Sequence, residues 1–329
     1  MNIDQEIEFA VQTLCKGGLV VFPTETVFGI GADAVNPEAV DRIFQVKKRP
    51  RNHPLIVHVP SILLAKKIIK DWPEMAEKIA KKLWPGPITL VLKKNNFLSD
   101  IISGGQDTIA VRMPSNPIAK KLLHEFSKKG SGLIVAPSAN IFGSVSNTSF
   151  FDVNKSIGNR LTDKDFILDG EGCFYGVEST IVDLTNSKAR ILRPGSVSKS
   201  LIESSFDIKL SENDKKCNAP TVSGSSLKHY SPNTPLYVLA RKEMVLAVKK
   251  RLLSSSKNFF FWGFSFLPIT SGRLHQQIAP LQSFDYAKEL YLKLNHLDNK
   301  KYDTIFFESP PTSEEWEAVN DRLNRAKNQ

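Results

Sequence analysis

Cysteine is scarce in this 329-residue chain, and Cys15, Cys173 and Cys217 form no CxxC pair and no histidine-containing metal spacing. A disulfide framework and a structural zinc site are therefore not expected, and a reducing compartment is. Long apolar runs are missing too. The most hydrophobic stretch, FFFWGFSFLPI at 259–269, is too short to span a bilayer, and the start MNIDQEIEF is acidic with no apolar signal core. These absences point to a cytoplasmic, enzyme-sized protein with no membrane partner. No GxxxxGK[ST] phosphate loop occurs. GIGADA at 29–34 nominally fits G-x-G-x-x-A, but six residues part it from the preceding strand and no acidic residue follows at the required distance. A dinucleotide site of that type is not expected.

What is present is an ordinary folding composition, 41% hydrophobic and 24% charged, which rules out a disordered chain. The length exceeds a comfortable single core, so one larger and one smaller domain are expected. The net charge of +10 is spread out: residues 1–200 carry 26 Lys and Arg against 20 Asp and Glu, and the remainder 18 against 14. With no basic arm, the positive surface suits small phosphorylated ligands as well as polyanions, and it admits weak RNA binding.

Short β-branched runs mark strands at 19–22, 54–59, 88–92, 108–112, 132–136 and 179–184. Between them NPEAVDRIFQVKK reads as a helix, capped by Asn36, with Pro37 in its first turn and Val40, Ile43 and Phe44 on one face. Residues 1–200 form one mixed α/β domain in this reading. Residues 201–226 turn polar without periodicity and read as a linker. Residues 227–329 alternate strand and helix, which predicts a small three-layer α/β domain.

Polar residues gather where these strands end, as ligand-binding residues do in open α/β sheets. FPTETVFGIG at 22–31 places Thr24, Glu25 and Thr26 after the first strand, with Gly29 and Gly31 expected to supply the positive φ of a tight turn. Arg112 closes TIAVR, and Ser138 and Asn140 follow GLIVA. VKKRPRNHPLIVHV packs Lys47, Lys48, Arg49 and Arg51 around Pro50. Three readings stay open for that cluster: a solvated helix end favoured by the macrodipole, a phosphate clamp, or a nucleic-acid patch. His58 sits inside an apolar strand, where a histidine is more often structural than catalytic. No Ser–His–Asp order is certified by spacing, so no nucleophilic triad is inferred.

Taken in order, FPTETVFGIGADA, IFQVKKRPRNHPLIVHV, WPGPITLVL, TIAVRMP, APSANIFGSVSNTS, VESTIVDL and ILRPGSVS resemble the YrdC-type threonylcarbamoyl-AMP synthases over about residues 7–198. SSLKHYSPNTPLYVL and AKELYLKLNHLD resemble the extra carboxyl-terminal domain of the family's long form. The resemblance implies a twisted, open mixed sheet with a large concave site, followed by a smaller Rossmann-like three-layer domain. It implies synthesis of L-threonylcarbamoyladenylate from L-threonine, bicarbonate or CO2, and ATP, with release of pyrophosphate. A separate transferase would then modify the adenosine next to the anticodon in tRNA. Mg2+ would be held mainly by the nucleotide, with no protein metal ligands. An RNA-binding module using the positive concavity is the alternative.

Carried over residue by residue, Thr26, His58, Arg112, Ala136 and Ser179 match threonine-binding positions. Arg49, His53, Thr108, Ser138, Asn140, Ser146 and Arg193 match ATP-binding positions or lie in the same motifs, and Lys47 and Arg49 are the catalytic candidates. Tyr230 matches a tyrosine at the linker's end that approaches the nucleotide, so the linker is expected to fold over the site. The basic motif departs from the family's K-G-R-P-x-D-N-P-L by Lys48 for the glycine, and by Asn52 and His53 for the Asp-Asn pair.

Overall fold

The computed structural model describes residues 2–170, 173–211, 219–226, 228–300 and 302–328. Cys217 and the centre of the stretch read as a linker lie outside them. The chain divides into two compact units, Met1–Phe142 with Ser146–Ser225, and Gly143–Val145 with Ser226–Gln329.

The first unit runs α1 (Ile3–Cys15), β1 (Val20–Phe22), β2 (Gly29–Asp33), α2 (Pro37–Lys47), β3 (Ile56–His58), α3 (Ile62–Lys67), α4 (Glu74–Leu83), β4 (Ile88–Lys93), α5 (Asp100–Ser103), β5 (Thr108–Arg112), α6 (Pro117–Lys129), β6 (Ile134–Val135), α7 (Phe150–Ile157), β7 (Phe166–Ile167), β8 (Thr180–Asp183), β9 (Arg190–Arg193) and α8 (Lys199–Phe206). Among the described residues its strands form one nine-stranded mixed sheet, ordered β7-β1-β2-β6-β3-β5-β4-β8-β9. The predicted strands all appear.

Strand alternation sorts the middle of this sheet into two faces. Val57, Leu90, Leu92, Ile109, Val111 and Val182 enter the main core. Ile56, Val91, Ala110 and Ile181 alternate with them on the other face, where they meet Val222 in a small cluster of their own. His58 follows Ile56 on that second face by the same parity, as do Thr108 and Arg112 on either side of Ala110. A further core joins α1 and α6 to β1 and β6 through Leu14, Phe22, Phe126 and Ile134.

Two local features differ from expectation. Gly29 and Gly31 do not make a turn: they lie in β2, paired antiparallel with Phe22 and Val20. Their need is space. A Cβ on Gly31 would stand 2.6 Å from Ile134 Cγ2 and 2.9 Å from Phe22 Cε1. The stretch 201–226 opens as the end of helix α8, capped by Ser198, because LIESSF carries enough helix formers to continue from Lys199. The Asn36 cap forms as read, its side chain accepting from Ala39 N at 3.1 Å. Helix α2 then stops at Lys48, which takes the left-handed conformation, φ 51° and ψ 39°. That is the position where the family motif has glycine, the residue with no steric penalty there.

The second unit contains β10 (Leu236–Leu239), α9 (Arg241–Ser254), β11 (Phe259–Gly263), β12 (Leu274–Ile278), α10 (Ser283–Asp298), β13 (Thr304–Glu308) and α11 (Glu317–Ala326). Among the described residues its four strands are all parallel, ordered β10-β13-β11-β12. Phe259 and Phe261 pack with Met244 and Val248 of α9. Trp262 alternates to the other face and lies 4.3 Å, centroid to centroid, from Tyr286 of α10. That alternation makes the three layers. Strand β12 was not anticipated, since LHQQI carries too few apolar residues to read as a strand.

Candidate active site

The site is built on the second face of the large sheet. Its best-defined part lies where β1 ends and β3 and β5 run side by side. His58 and Arg112 are register partners across the parallel pair β3–β5. Arg112 Nη1 donates to Thr26 Oγ1 at 3.0 Å, and the Thr24 and Thr26 hydroxyls share a hydrogen bond of 2.9 Å. Thr24 Oγ1 also donates to Val27 O at 2.6 Å, closing the turn that presents Thr26. Glu25 Oε1 lies 2.6 Å from Arg112 Nη2 in an ion pair with both side chains buried. This contact is ionic and lacks hydrogen-bond alignment. Ala136 is buried beside them and donates its N–H to Ile56 O.

The electrostatics of this pocket follow from burial. Desolvation pushes the Glu25 carboxyl up, but the adjacent Arg112 guanidinium and backbone N–H groups outweigh it and hold the group below its usual range. Desolvation and the neighbouring Arg112 pull the His58 imidazole down to about 3, so it is neutral at physiological pH. Cys173, close to the same charges, is pushed up to about 12, chiefly by burial. It is a poor nucleophile.

A second group of cations converges nearby. Arg49 donates Nη2 to Pro54 O at 2.8 Å and to Ser223 Oγ at 3.4 Å, while its guanidinium stands 5.5 Å over the Phe142 ring. Arg193 donates Nη1 to Ser223 O at 2.8 Å and Nη2 to Ser179 O at 2.9 Å. Ser179 in turn shares a 2.8 Å hydrogen bond with Thr89. Ser223 thus joins the two arginines, and its neighbour Val222 covers Ile56 and Ala110. Lys47 donates Nζ to Ser138 O and Asn140 O, both at 2.5 Å, bracing the turn that carries those two residues. Burial first, and then the Arg49 charge, lower the Lys47 ammonium well below its ordinary value, against a raising influence of Glu178. His53 stacks edge-on to Phe142 at 4.9 Å, and desolvation and Arg49 lower its imidazole.

The structure therefore brings Thr26, His58 and Arg112 into one pocket, links Ser179, Arg193 and Arg49 through Ser223, and ties Lys47 to Ser138 and Asn140. Ser146 is joined to Glu178, donating Oγ to Oε1 at 2.6 Å. Thr108 is buried at the far end of β5 from Arg112. Tyr230 belongs to the second unit, where it is buried, stacks on Tyr291 at 5.7 Å and lies under the Arg322 guanidinium at 5.2 Å. Sequence reasoning left out Glu178, Val222 and Ser223 and gave Glu25 no role. The VEST and TETV motifs were signals for the two glutamates. Nothing in a polar stretch signals Ser223.

An α/β sheet face that gathers buried arginines, a buried lysine and hydroxyls is equipped to hold and neutralise anions. Residues 12–195 match the Sua5/YciO/YrdC family model, described as telomere recombination, and residues 197–327 match that of the threonylcarbamoyl-AMP synthase carboxyl-terminal domain. The chain is 36% identical to the threonylcarbamoyl-AMP synthase of Pyrococcus abyssi, covering 98% of this chain and 94% of that one. It is 33% identical to the Bacillus subtilis enzyme of the same name, covering 98% and 93%. The crystal structure of P. abyssi Sua5 complexed with L-threonine superposes with a TM-score of 0.87 at 34% identity, covering 97% of this chain and 93% of the other. The chain belongs to the threonylcarbamoyl-AMP synthase family in its two-domain form, a family of nucleotidyltransferase-type enzymes.

Proposed function

We propose that this chain makes L-threonylcarbamoyladenylate from L-threonine, bicarbonate or CO2, and ATP, releasing pyrophosphate. The observation that carries the reading is one sheet face holding two separate anion-reading groups. Arg112, with Thr26 and His58, suits an amino-acid carboxylate, and Lys47, Arg49 and Arg193 suit a polyphosphate. The relatives' name and the P. abyssi complex with L-threonine support it.

In this reading Arg112 takes the threonine carboxylate, Thr26, Ala136 and Ser179 line the same subsite, and neutral His58 adds a polar contact without a competing charge. Arg49, His53, Thr108, Ser138, Asn140, Ser146 and Arg193 hold ATP. The threonine ammonium first loses a proton to solvent, the free amine adds to CO2 and loses a second proton to give a carbamate, and a carbamate oxygen attacks the α-phosphorus with pyrophosphate leaving. Positioning and charge stabilisation suffice, so no covalent enzyme intermediate is needed. Among the described residues no group of three His, Cys, Asp or Glu side chains could hold a metal ion, and Mg2+ would travel on the triphosphate.

Residues 1–200 are the catalytic domain in this reading. The Val222–Ser223 contacts support the end of the 201–226 linker as a strap over the site, with 227–329 a separate domain. The product would pass to a tRNA threonylcarbamoyl transferase in the cytoplasm, for the adenosine next to the anticodon. Among the described residues no helix is long and apolar enough to cross a membrane.

The test is pyrophosphate release with ATP, threonine and bicarbonate, each omitted in turn, with the product identified by mass. Release needing all three establishes the reaction. Arg49→Ala should then lose about 3 kcal/mol of transition-state stabilisation, on the scale of one preorganised donor. An unchanged rate removes Arg49 from the machinery. Release under no condition, with folded protein binding RNA in a salt-dependent way, would replace the synthase reading by the RNA-binding one.

A further inference from the structure

Four buried polar atoms in the Thr26 pocket lack a geometric hydrogen bond: Glu25 Oε1 and Arg112 Nη2, which meet only as an ion pair, and His58 Nδ1 and Arg112 Nε. Buried polar groups are nearly always satisfied, so such a concentration asks for missing partners. The pattern of the four is specific. Nε and Nη2 form one edge of the guanidinium, the fork that grips a carboxylate through two parallel N–H bonds. Glu25 Oε1, at 2.6 Å from Nη2, offers an acceptor and a full negative charge immediately beside that fork. Arg112 Nη1 is already committed to Thr26, and Glu25 Oε2 has a long contact of 3.4 Å from Asn116 N.

We propose that Glu25 is a substrate-binding residue that reads the α-ammonium group, so that the pocket selects an α-amino-acid zwitterion over a simple carboxylic acid. The inference rests on the reading of this pocket as the threonine subsite and adds a residue to it. An α-amino acid carries its ammonium one carbon from its carboxylate, and the pocket sets an acceptor next to a carboxylate fork at the matching scale. Charge supports the assignment. Burying a second carboxylate beside Arg112 and Glu25 would leave one negative charge in excess, whereas a zwitterion adds none. A molecule with the carboxylate alone therefore meets Glu25 as a repulsive neighbour, while threonine meets it as a partner. The backbone holds Glu25 in place: its carbonyl accepts from Tyr175 N at 2.9 Å, and the Thr24–Thr26 hydrogen bond closes over it.

The experiment compares, by calorimetry, binding of L-threonine and of its 2-hydroxy analogue, 2,3-dihydroxybutanoate of matching configuration, to the full chain and to Glu25→Gln. A charge-assisted hydrogen bond at a buried site corresponds to roughly ten- to hundredfold in affinity. The unsubstituted protein should therefore prefer threonine at least tenfold, and Glu25→Gln should lose most of that preference, with the hydroxy acid binding as well as before or better. A preference that survives in Glu25→Gln overturns the inference, as does an equal loss for both ligands, which marks a structural role. Should Glu25→Gln fail to fold, Glu25→Asp decides. It keeps the charge on a shorter arm, so the preference must shrink but keep its direction, and an unchanged preference refutes the assignment. Absence of threonine binding to the unsubstituted protein would bring down the substrate reading itself, a result distinct from any of these.

Discussion

Replacing His58 should flatten the acid side of this protein's stability curve. The imidazole is buried in β3 and pulled down to about 3 from 6.5, first by desolvation and then by Arg112. The unfolded chain binds a proton on this residue below its ordinary value, and the folded chain does not until close to pH 3. Stability from keeping His58 neutral is thus whole above about pH 6.5 and is lost as pH falls from there toward 3. Each pH unit inside the window costs about 1.4 kcal/mol, so one group accounts for about 2 kcal/mol between pH 7 and pH 5. Glu25 stays ionised across that interval because its carboxyl is held below the usual range, and His53 is common to both proteins. Urea unfolding of the full chain and of His58→Gln at the two pH values measures the effect as a difference of differences. The variant should lose about 2 kcal/mol less than the parent on going from pH 7 to pH 5, whatever its starting stability. Equal losses refute the reasoning, as would an imidazole proton resonance of the folded protein that titrates above pH 4.

Two further outcomes follow from backbone and packing. Lys48→Gly relieves a left-handed residue at the end of α2, and should raise stability by about 0.5–1 kcal/mol with a matching rise in melting temperature; a drop would show that the Lys48 side chain contributes more than its backbone costs. Gly31→Ala places a methyl against Ile134 and Phe22 and should cost about 1–3 kcal/mol in urea, a neutral result meaning that β2 shifts freely.

Much of this molecule is legible in one dimension because its signals are local. The strands at 54–59, 88–92, 108–112 and 179–184 are apolar enough to be buried whatever surrounds them, and Asn36 and Pro37 start a helix from the residues beside them. Ordered motifs also carried the family, since polar residues at strand ends keep their spacing along the chain.

Pairing across the sheet is another matter. The order β2-β6-β3-β5-β4 joins strands far apart in sequence, and that order sets Glu25 and Thr26 against Arg112 and His58 beside it. Gly31 looked like a turn because a lone sequence cannot show Ile134 and Phe22 pressing on it. Glu25 carried no role when read as one of three polar residues after a strand, and only the neighbourhood of Arg112 makes it a buried, paired charge. Ser223 stood in a polar stretch with no periodicity, and it acquires meaning from Arg49 and Arg193 meeting there. Local propensity and motif order determined what the elements and the family are. Long-range packing decided which charges are buried together, because desolvation and pairing energies depend on neighbours that the sequence places more than eighty residues away, as with Arg112 and Thr26 or Arg49 and Ser223.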